Sequence, residues 1–343
     1  MRKKNEVTEV KGASALDKAL AEISEEFKCS VSRFNQQTYE PADRISSGST
    51  GLDVIMGGGW ARGRIHEIYG PEGGGKTMQT LLGIVQAQRM GLETAFVDME
   101  HACDLRWAQG FGVDIDKLIF AQPNSGEQAL NLVDRLISTG KISMIVVDSV
   151  AALIPQAEID GEIGDAHMGL QARMMGQALR MLSPKVSANN VALVFVNQIR
   201  DKIGQWGSPT TTPGGKALKF YASIRLEVRR AAAATNISGD TGLTVGCTQL
   251  IKAIKNKTAL PYREAKVPVH FLKGVRVLED IQNVAEDCKL ITIGKKIAYN
   301  GNLEALKGKE FSNLSELLSA LSDPVVLESF RAETLEMAMK VTG

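Results

Sequence analysis

The octet Gly70-Pro71-Glu72-Gly73-Gly74-Gly75-Lys76-Thr77 satisfies G-x-x-x-x-G-K-[ST] at every fixed position, and no other feature constrains the fold as tightly. The apolar run Arg64–Tyr69 before it reads as a strand, and Met78–Gly91 after it as a helix. A glycine loop in that context lets backbone N–H groups approach a polyphosphate, and the helix N-terminus adds partial positive charge. Lys76 is then expected to reach the β- and γ-phosphates, and the Thr77 hydroxyl to sit on Mg²⁺. An ordinary Gly-rich turn with a surface lysine would not need a strand and a helix on either side. The chain reads as a nucleoside triphosphate binder.

With 343 residues, 44% of them hydrophobic and 23% charged, there is enough core for one large domain or two. No run is long enough to span a bilayer, and the polar start Met1-Arg2-Lys3-Lys4-Asn5 lacks the apolar stretch of a secretory signal. Cys29, Cys103, Cys247 and Cys288 are widely spaced, as expected of reduced thiols in a cytoplasmic protein. The four histidines are equally scattered and suggest no metal cluster. A net charge of +1 says little, but from Gln198 to Arg230 there are seven Lys or Arg against the two acids Asp201 and Glu227. Such a segment is either a phosphate-contacting surface or a solvated charged face.

Leu16, Leu20, Ile23 and Phe27 recur at helical spacing over Ser14–Phe27, ahead of a polar linker, Asn35–Arg44. That apolar stripe must be buried either on a neighbouring subunit or on the chain's own core. From Arg64 onward strands alternate with helices: Thr94–Asp98, Met144–Asp148 and Val191–Asn197 as strands, Gly126–Ser138 and Gly169–Ala188 as helices. The pattern predicts a parallel sheet covered on both faces. Ser223–Arg229 and Gln249–Ile254 read as further strands of it. From about Lys273 the periodicity is mixed, with helices at Leu314–Leu321 and Val325–Met339, and a small second domain is expected there.

Asp148 ends an apolar strand, where a parallel sheet presents ligands to its crevice, and is expected to hold Mg²⁺ through water. Glu100 lies just past the strand ending at Asp98, on the same edge, and a carboxylate there can polarise an attacking water. Its alternative is a surface acid. Gln198 ends its strand and opens the basic segment, so its amide can sense a γ-phosphate and move when it leaves. The irregular loop Ile199–Ala217 carries basic groups with Ile203 and Trp206, side chains suited to wedging between or stacking on bases. The loop Glu158–Gly169 is acidic, through Glu158, Asp160, Glu162 and Asp165, and by charge alone should repel DNA.

The segments "GRIHEIYGPEGGGKT", "FVDMEHACD", "IVVDSVAALIPQAEIDGEIGDAHMGLQARMM", "FVNQIRDKIG", "GGKALKFYAS" and "KNK" resemble the RecA family of bacterial homologous-recombination ATPases, from Ser14 to at least Lys257. The resemblance implies an α/β, P-loop RecA-type ATPase core with a mostly parallel sheet, an N-terminal polymerisation helix and a small α+β C-terminal domain. The corresponding divisions are 1–44, 45–272 and 273–343.

It further implies catalytic roles for Lys76, Glu100 as the water-activating carboxylate and Gln198 as the nucleotide sensor. Lys255 and Lys257 would reach the ATP of a neighbouring protomer, with Phe220 at that interface. ATP would lie on Gly70, Pro71, Glu72, Gly73, Gly74, Gly75, Lys76 and Thr77, with Asp104 and Trp107 at the adenine and Thr77 and Asp148 at Mg²⁺. The family usually has Tyr at the Trp107 position, and Trp still stacks. DNA contacts would come from Met168, Arg173, Arg180, Arg200, Ile203, Trp206 and the amides of Gly214 and Gly215. In the family the acidic first loop binds through backbone amides and an inserted apolar side chain, here Met168.

Implied partners are single-stranded DNA, homologous duplex DNA, a helical homo-oligomeric filament, single-strand-binding protein, loading factors and LexA-type repressors, and no membrane. The implied function is homologous pairing and strand exchange in recombinational repair, with DNA-dependent ATP hydrolysis. Three departures stand out: Gly73-Gly74 in place of small hydroxyl residues, a second loop one residue shorter between Ile203 and Gly207, and an end at Gly343 without the family's common acidic tail. A motor on the same core would not need the "GEIGDAHMG" loop, and an inactive paralogue would be expected to have lost it.

Overall fold

The computed structural model describes residues 14–32, 42–162, 169–201, 210–232, 236–239 and 242–341. Met168, Ile203 and Trp206 therefore lie outside the described residues. The chain divides into two compact units, Met1–Ala42 and Asp43–Gly343. In the first, α1 (Ala15–Phe27) starts at a capping box, in which Ser14 and Asp17 satisfy each other's backbone N–H groups, and ends at left-handed Lys28. Leu16, Ile23 and Phe27 on its apolar stripe are exposed.

The second unit is built on a ten-stranded sheet. Its strands are β1 (Arg64–Gly70), β2 (Glu93–Asp98), β3 (Leu118–Ala121), β4 (Ile142–Asp148), β5 (Ala192–Gln198), β6 (Ile224–Arg230), β7 (Asn236–Ser238), β8 (Thr244–Asn256), β9 (Glu264–His270) and β10 (Gly274–Val275). They lie in the order β10-β9-β8-β6-β1-β5-β4-β2-β3, with β7 on β8. From β6 to β3 all neighbours are parallel. Beyond β6 the sheet continues as an antiparallel wing. The apolar strands were legible because a parallel strand is covered on both faces: all seven residues of β4 are buried. The wing follows the other pattern, with buried and part-exposed residues alternating along much of β8.

Helices cover both faces. On one side α2 (Thr50–Met56) and α3 (Lys76–Arg89) pack with Trp60, Phe96, Met144 and Ile251. On the other, Val133 of α4 (Gly126–Ser138) and Leu179 of α5 (Leu170–Ala188) share a cluster with Ile145 and Phe195 of the sheet. A third apolar cluster, including Ile281, Leu290, Phe311 and Phe330, gathers around a three-stranded sheet and the C-terminal helices. Val54 of α2 joins this cluster. Two polar clamps tie that region to α2. Asp280 accepts from Ser49 Oγ (2.9 Å) and the Thr50 N–H (2.5 Å), capping the helix from a position 230 residues away. Arg331 pairs with buried Asp53 at 3.1 Å. Burial pushes the Asp280 carboxyl up to about 7 in spite of its donors.

His66 in β1 is fully buried and donates Nε2–H to the Ala61 carbonyl at 2.8 Å, so Nδ1 is the unprotonated nitrogen. Nδ1 is buried with no hydrogen-bond partner, and desolvation lowers the ring's pKa to about 4. A folded pKa below the unfolded one means that neutral His66 contributes stability above pH 6.5, which is lost as pH falls toward 4. Each tenfold weakening of proton affinity is worth about 1.4 kcal/mol, so the loss is on the order of 3 kcal/mol. Denaturant titrations between pH 7 and 4.5 are expected to show this slope and to flatten in His66→Phe. An unchanged slope would mean that other groups control acid unfolding.

Candidate functional site

The parallel register carries four strand ends to one edge. Gly70 at the end of β1 lies opposite Gln198 at the end of β5, and Asp98 of β2 opposite Asp148 of β4. This carboxyl edge is where open α/β sheets bind ligands. A cavity of about 440 Å³ opens there, and its walls include Gly73, Gly75, Lys76, Thr77, Glu100, Trp107, Asp148 and Gln198. Thus most of the expected nucleotide residues come together, although they span more than a third of the chain.

Gly70 has no room for a side chain, because a Cβ would collide with the Val228 carbonyl of β6. Gly73 and Gly75 have φ of 67° and 86°, the left-handed conformation that turns successive N–H groups toward one centre. Lys76 is buried and donates to the Pro71 carbonyl at 2.8 Å. Burial lowers its pKa, while Asp148, Glu100 and Glu72 oppose that shift. Thr77 Oγ1 donates to Asp148 Oδ2 at 2.6 Å. Burial pushes Asp148 up to about 6, with Glu100 and Asp98 adding to the rise.

Asp148 on the Thr77 hydroxyl, with Glu100 and Asp98 close enough to raise its pKa, gathers negative charge that suits a divalent cation beside a polyphosphate. Among the described residues no group of three or more His, Cys, Asp and Glu could hold a metal. Mg²⁺ takes much of its oxygen shell from substrate phosphates and water.

Glu100 and Gln198 meet. Gln198 Nε2 donates to Glu100 Oε1 at 2.8 Å, and Ser149 Oγ donates to the same oxygen. Nothing in the local sequence marked Ser149 beyond its place after Asp148. Trp107 lines the far wall, its Nε1–H on the Phe271 carbonyl at 3.1 Å and its ring edge-on to Phe111. Asp104 does not line the cavity: it caps the next helix through the Arg106 N–H. Cys103, Cys247, Gln249 and Phe271 also line the cavity and were not foreseen. The last three come from the antiparallel wing, whose pairing no local motif reports.

Lys255 and Lys257 do not line this cavity. Lys255 Nζ donates to the carbonyls of Lys219 and Phe220, at 2.7 and 2.9 Å. Lys257 lines a separate cleft with Arg64, Tyr221 and Phe220, a residue 71% exposed. Arg173 and Arg180 are exposed on α5. Arg200 pairs through its backbone with Thr211. Gly214 and Gly215 have φ of 81° and 77° and begin the return to the core. The Gly214 N–H is already used by Gln171 Oε1 (3.1 Å), and Gln171 Nε2 donates to Val150 O and Leu153 O. Gln171 thus ties the end of the second loop to the segment after Asp148, a role with no sequence signature. Beside it, Asn197 Nδ2 donates to buried Glu67 and to Pro213 O, and Arg225 pairs with Glu67 at 2.5 Å.

A phosphate loop, an acidic strand end beside its threonine, and a carboxylate–glutamine pair on the same edge define a P-loop ATPase. A model of the RecA N-terminal domain matches residues 14–276. The chain is 46% identical over 332 residues to Protein RecA of Thermus thermophilus, covering 95% of each chain. It is 46% identical over 331 residues to Protein RecA of Thermus aquaticus, again covering 95% of each. To Protein RecA of Streptococcus pyogenes it is 44% identical over 308 residues, 88% of this chain and 82% of that one. The chain belongs to the RecA family, the DNA recombinases that hydrolyse ATP in a DNA-dependent reaction and assemble on DNA as filaments. Among the described residues no helix is long and apolar enough to cross a membrane.

Proposed function

We propose that this recombinase works through an ATP site shared between successive protomers, and that Gln198 carries the state of that site to the DNA loops. The observation that carries this reading is a continuous hydrogen-bonded run. Glu100 holds Gln198, the Gln198 N–H is held by Asn197, and Asn197 reaches Pro213 beside Gly214. A γ-phosphate at the strand edge competes for the Gln198 amide, so its presence or loss moves one end of a chain that ends in the second loop.

In this reading Gly70–Thr77 cradles the phosphates and Trp107 stacks on the base. Thr77 and Asp148 would hold Mg²⁺, which would supply positive charge beside the phosphates. Glu100 orients the attacking water. Lys255 and Lys257 serve the neighbouring protomer's ATP, a reading supported by their place beside exposed Phe220 and away from their own cavity. A heterologous contact of that kind grows into a helix, which ATP stabilises. Helix α1 uses its exposed stripe to dock on the adjacent subunit. Arg173, Arg180, Arg200, Met168, Ile203, Trp206 and the loop glycines hold DNA, mainly through phosphates, and leave base edges free to test pairing. The working compartment is the cytoplasm, consistent with unpaired cysteines among the described residues. Residues 273–343 act as a small domain tied to α2 by Asp280 and Arg331.

Fluorescence-monitored strand exchange tests the reading, with homologous and heterologous duplexes, ATP and a slowly hydrolysed analogue. Exchange that requires homology and proceeds with the analogue is expected. Strand separation that needs hydrolysis and ignores homology would sink the proposal in favour of a motor.

A further inference from the structure

We propose that Gln249 is a positioning residue for the phosphate loop, fixing the direction of the Gly75 N–H from outside the loop. Gln249 sits on β8, in the antiparallel wing, and is buried. Its Nε2 donates to the Gly74 carbonyl at 3.0 Å, and its Oε1 accepts from Gln79 Nε2, on α3, at 2.7 Å. The Gly74 carbonyl can only accept, so it dictates the orientation of both amides: turning either one over sets two oxygens against each other.

The consequence for the loop follows from peptide geometry. Gly74 C=O and Gly75 N–H belong to one planar trans unit and point in opposite directions. Holding the carbonyl on Gln249 therefore aims the Gly75 N–H away from the wing, where a phosphate oxygen can accept it. The approach is close: a Cβ at Gly75 would overlap Gln249 Nε2, so the strand, the glycine and the amide fit only together. The loop has little of its own to do this job. Gly73 and Gly74 carry no hydroxyl, a Cβ at Gly73 would meet nothing within 4 Å, and the loop's internal backbone bond from Gly74 N–H to Pro71 O is long, at 3.3 Å. Burying two amides in an apolar wall is costly unless they are bonded. Gln79 Oε1 is in fact left without a partner, a cost a purely apolar contact would avoid.

The inference rests on the phosphate cradle described above, and calorimetry can separate the two. In the full chain ADP should bind far more tightly than adenosine; equal affinities would overturn the cradle and this proposal with it. In Gln249→Leu, ADP affinity is expected to fall about tenfold, the effect of one misaligned bond to a charged group, while adenosine affinity stays within about twofold. Gln249→Asn keeps the amide but falls short of Gly74, so it should show the same selective loss even if the leucine variant folds poorly. Parallel losses for ADP and adenosine would make Gln249 a packing residue, and unchanged ADP affinity would mean the loop orients Gly75 unaided. Either result overturns the proposal.

Discussion

Lys76→Ala is expected to cut ATP turnover on the order of a hundred- to a thousandfold and to remove most ATP affinity. The ammonium is buried at the start of α3, and its pKa is held down by that burial. The charge is kept there against a desolvation cost, with the Pro71 carbonyl as its partner at 2.8 Å. Phosphate oxygens are much better acceptors than a carbonyl, so nucleotide binding recovers the cost only while the ammonium is present. Alanine leaves the N–H cradle intact but takes from Asp148, Glu100 and Glu72 the ammonium that offsets their charge. Loss of one preorganised donor at such a site costs about 10²–10³ in rate. Lys76→Arg separates charge from shape, because a planar guanidinium keeps the charge but cannot take the ammonium's compact place. It should recover part of the binding and little of the turnover. Phosphate release with single-stranded DNA, together with nucleotide binding, measures both effects. Normal turnover in Lys76→Ala would move the hydrolytic site elsewhere.

What could be read in advance depended on how far apart the interacting groups lie. Lys76, Thr77, Asp148 and Gln198 each follow an apolar strand, and the parallel pattern brings such ends to one edge whatever the strand order. The core strands were legible for the same reason, since burial on both faces leaves an unbroken apolar run. The wing was less legible. The reading Gln249–Ile254 captured only the middle of Thr244–Asn256, whose part-exposed residues interrupt the apolar signal. The contacts it makes with α3 and the phosphate loop link residues 170 and 175 positions apart. The same limit hid the clamp from Asp280 to α2, which joins residues 230 positions apart, and the sharing of Glu67 between Asn197 and Arg225, which requires knowing which strands lie beside β1. Asp104 was read from a family position alone, and the structure shows it as the N-cap of the following helix.

Glu100→Gln should give the second large effect, and its pattern differs from that of Lys76→Ala. The amide keeps the side chain's length and retains an oxygen to accept from Ser149 and Gln198, so the geometry that supports Gln198 should survive. What disappears is the group that takes or steers the proton of the attacking water. General-base assistance is worth about 10²–10⁴, and turnover is expected to fall within that range. Nucleotide affinity should not fall with it. Glu100 is one of the carboxylates that raise the Asp148 pKa, so removing its charge favours the ionised form of Asp148 beside Mg²⁺–ATP. The expected protein binds ATP, assembles on single-stranded DNA and exchanges homologous strands, but releases DNA far more slowly than the wild type. A fluorescence measurement of filament lifetime beside the phosphate-release rate shows this directly. If turnover persists, Glu100 is only a brace for Gln198. If turnover and ATP affinity fall together, the Glu100–Ser149–Gln198 contacts build the site rather than run its chemistry, and the route from γ-phosphate to DNA loop would have to start at another residue.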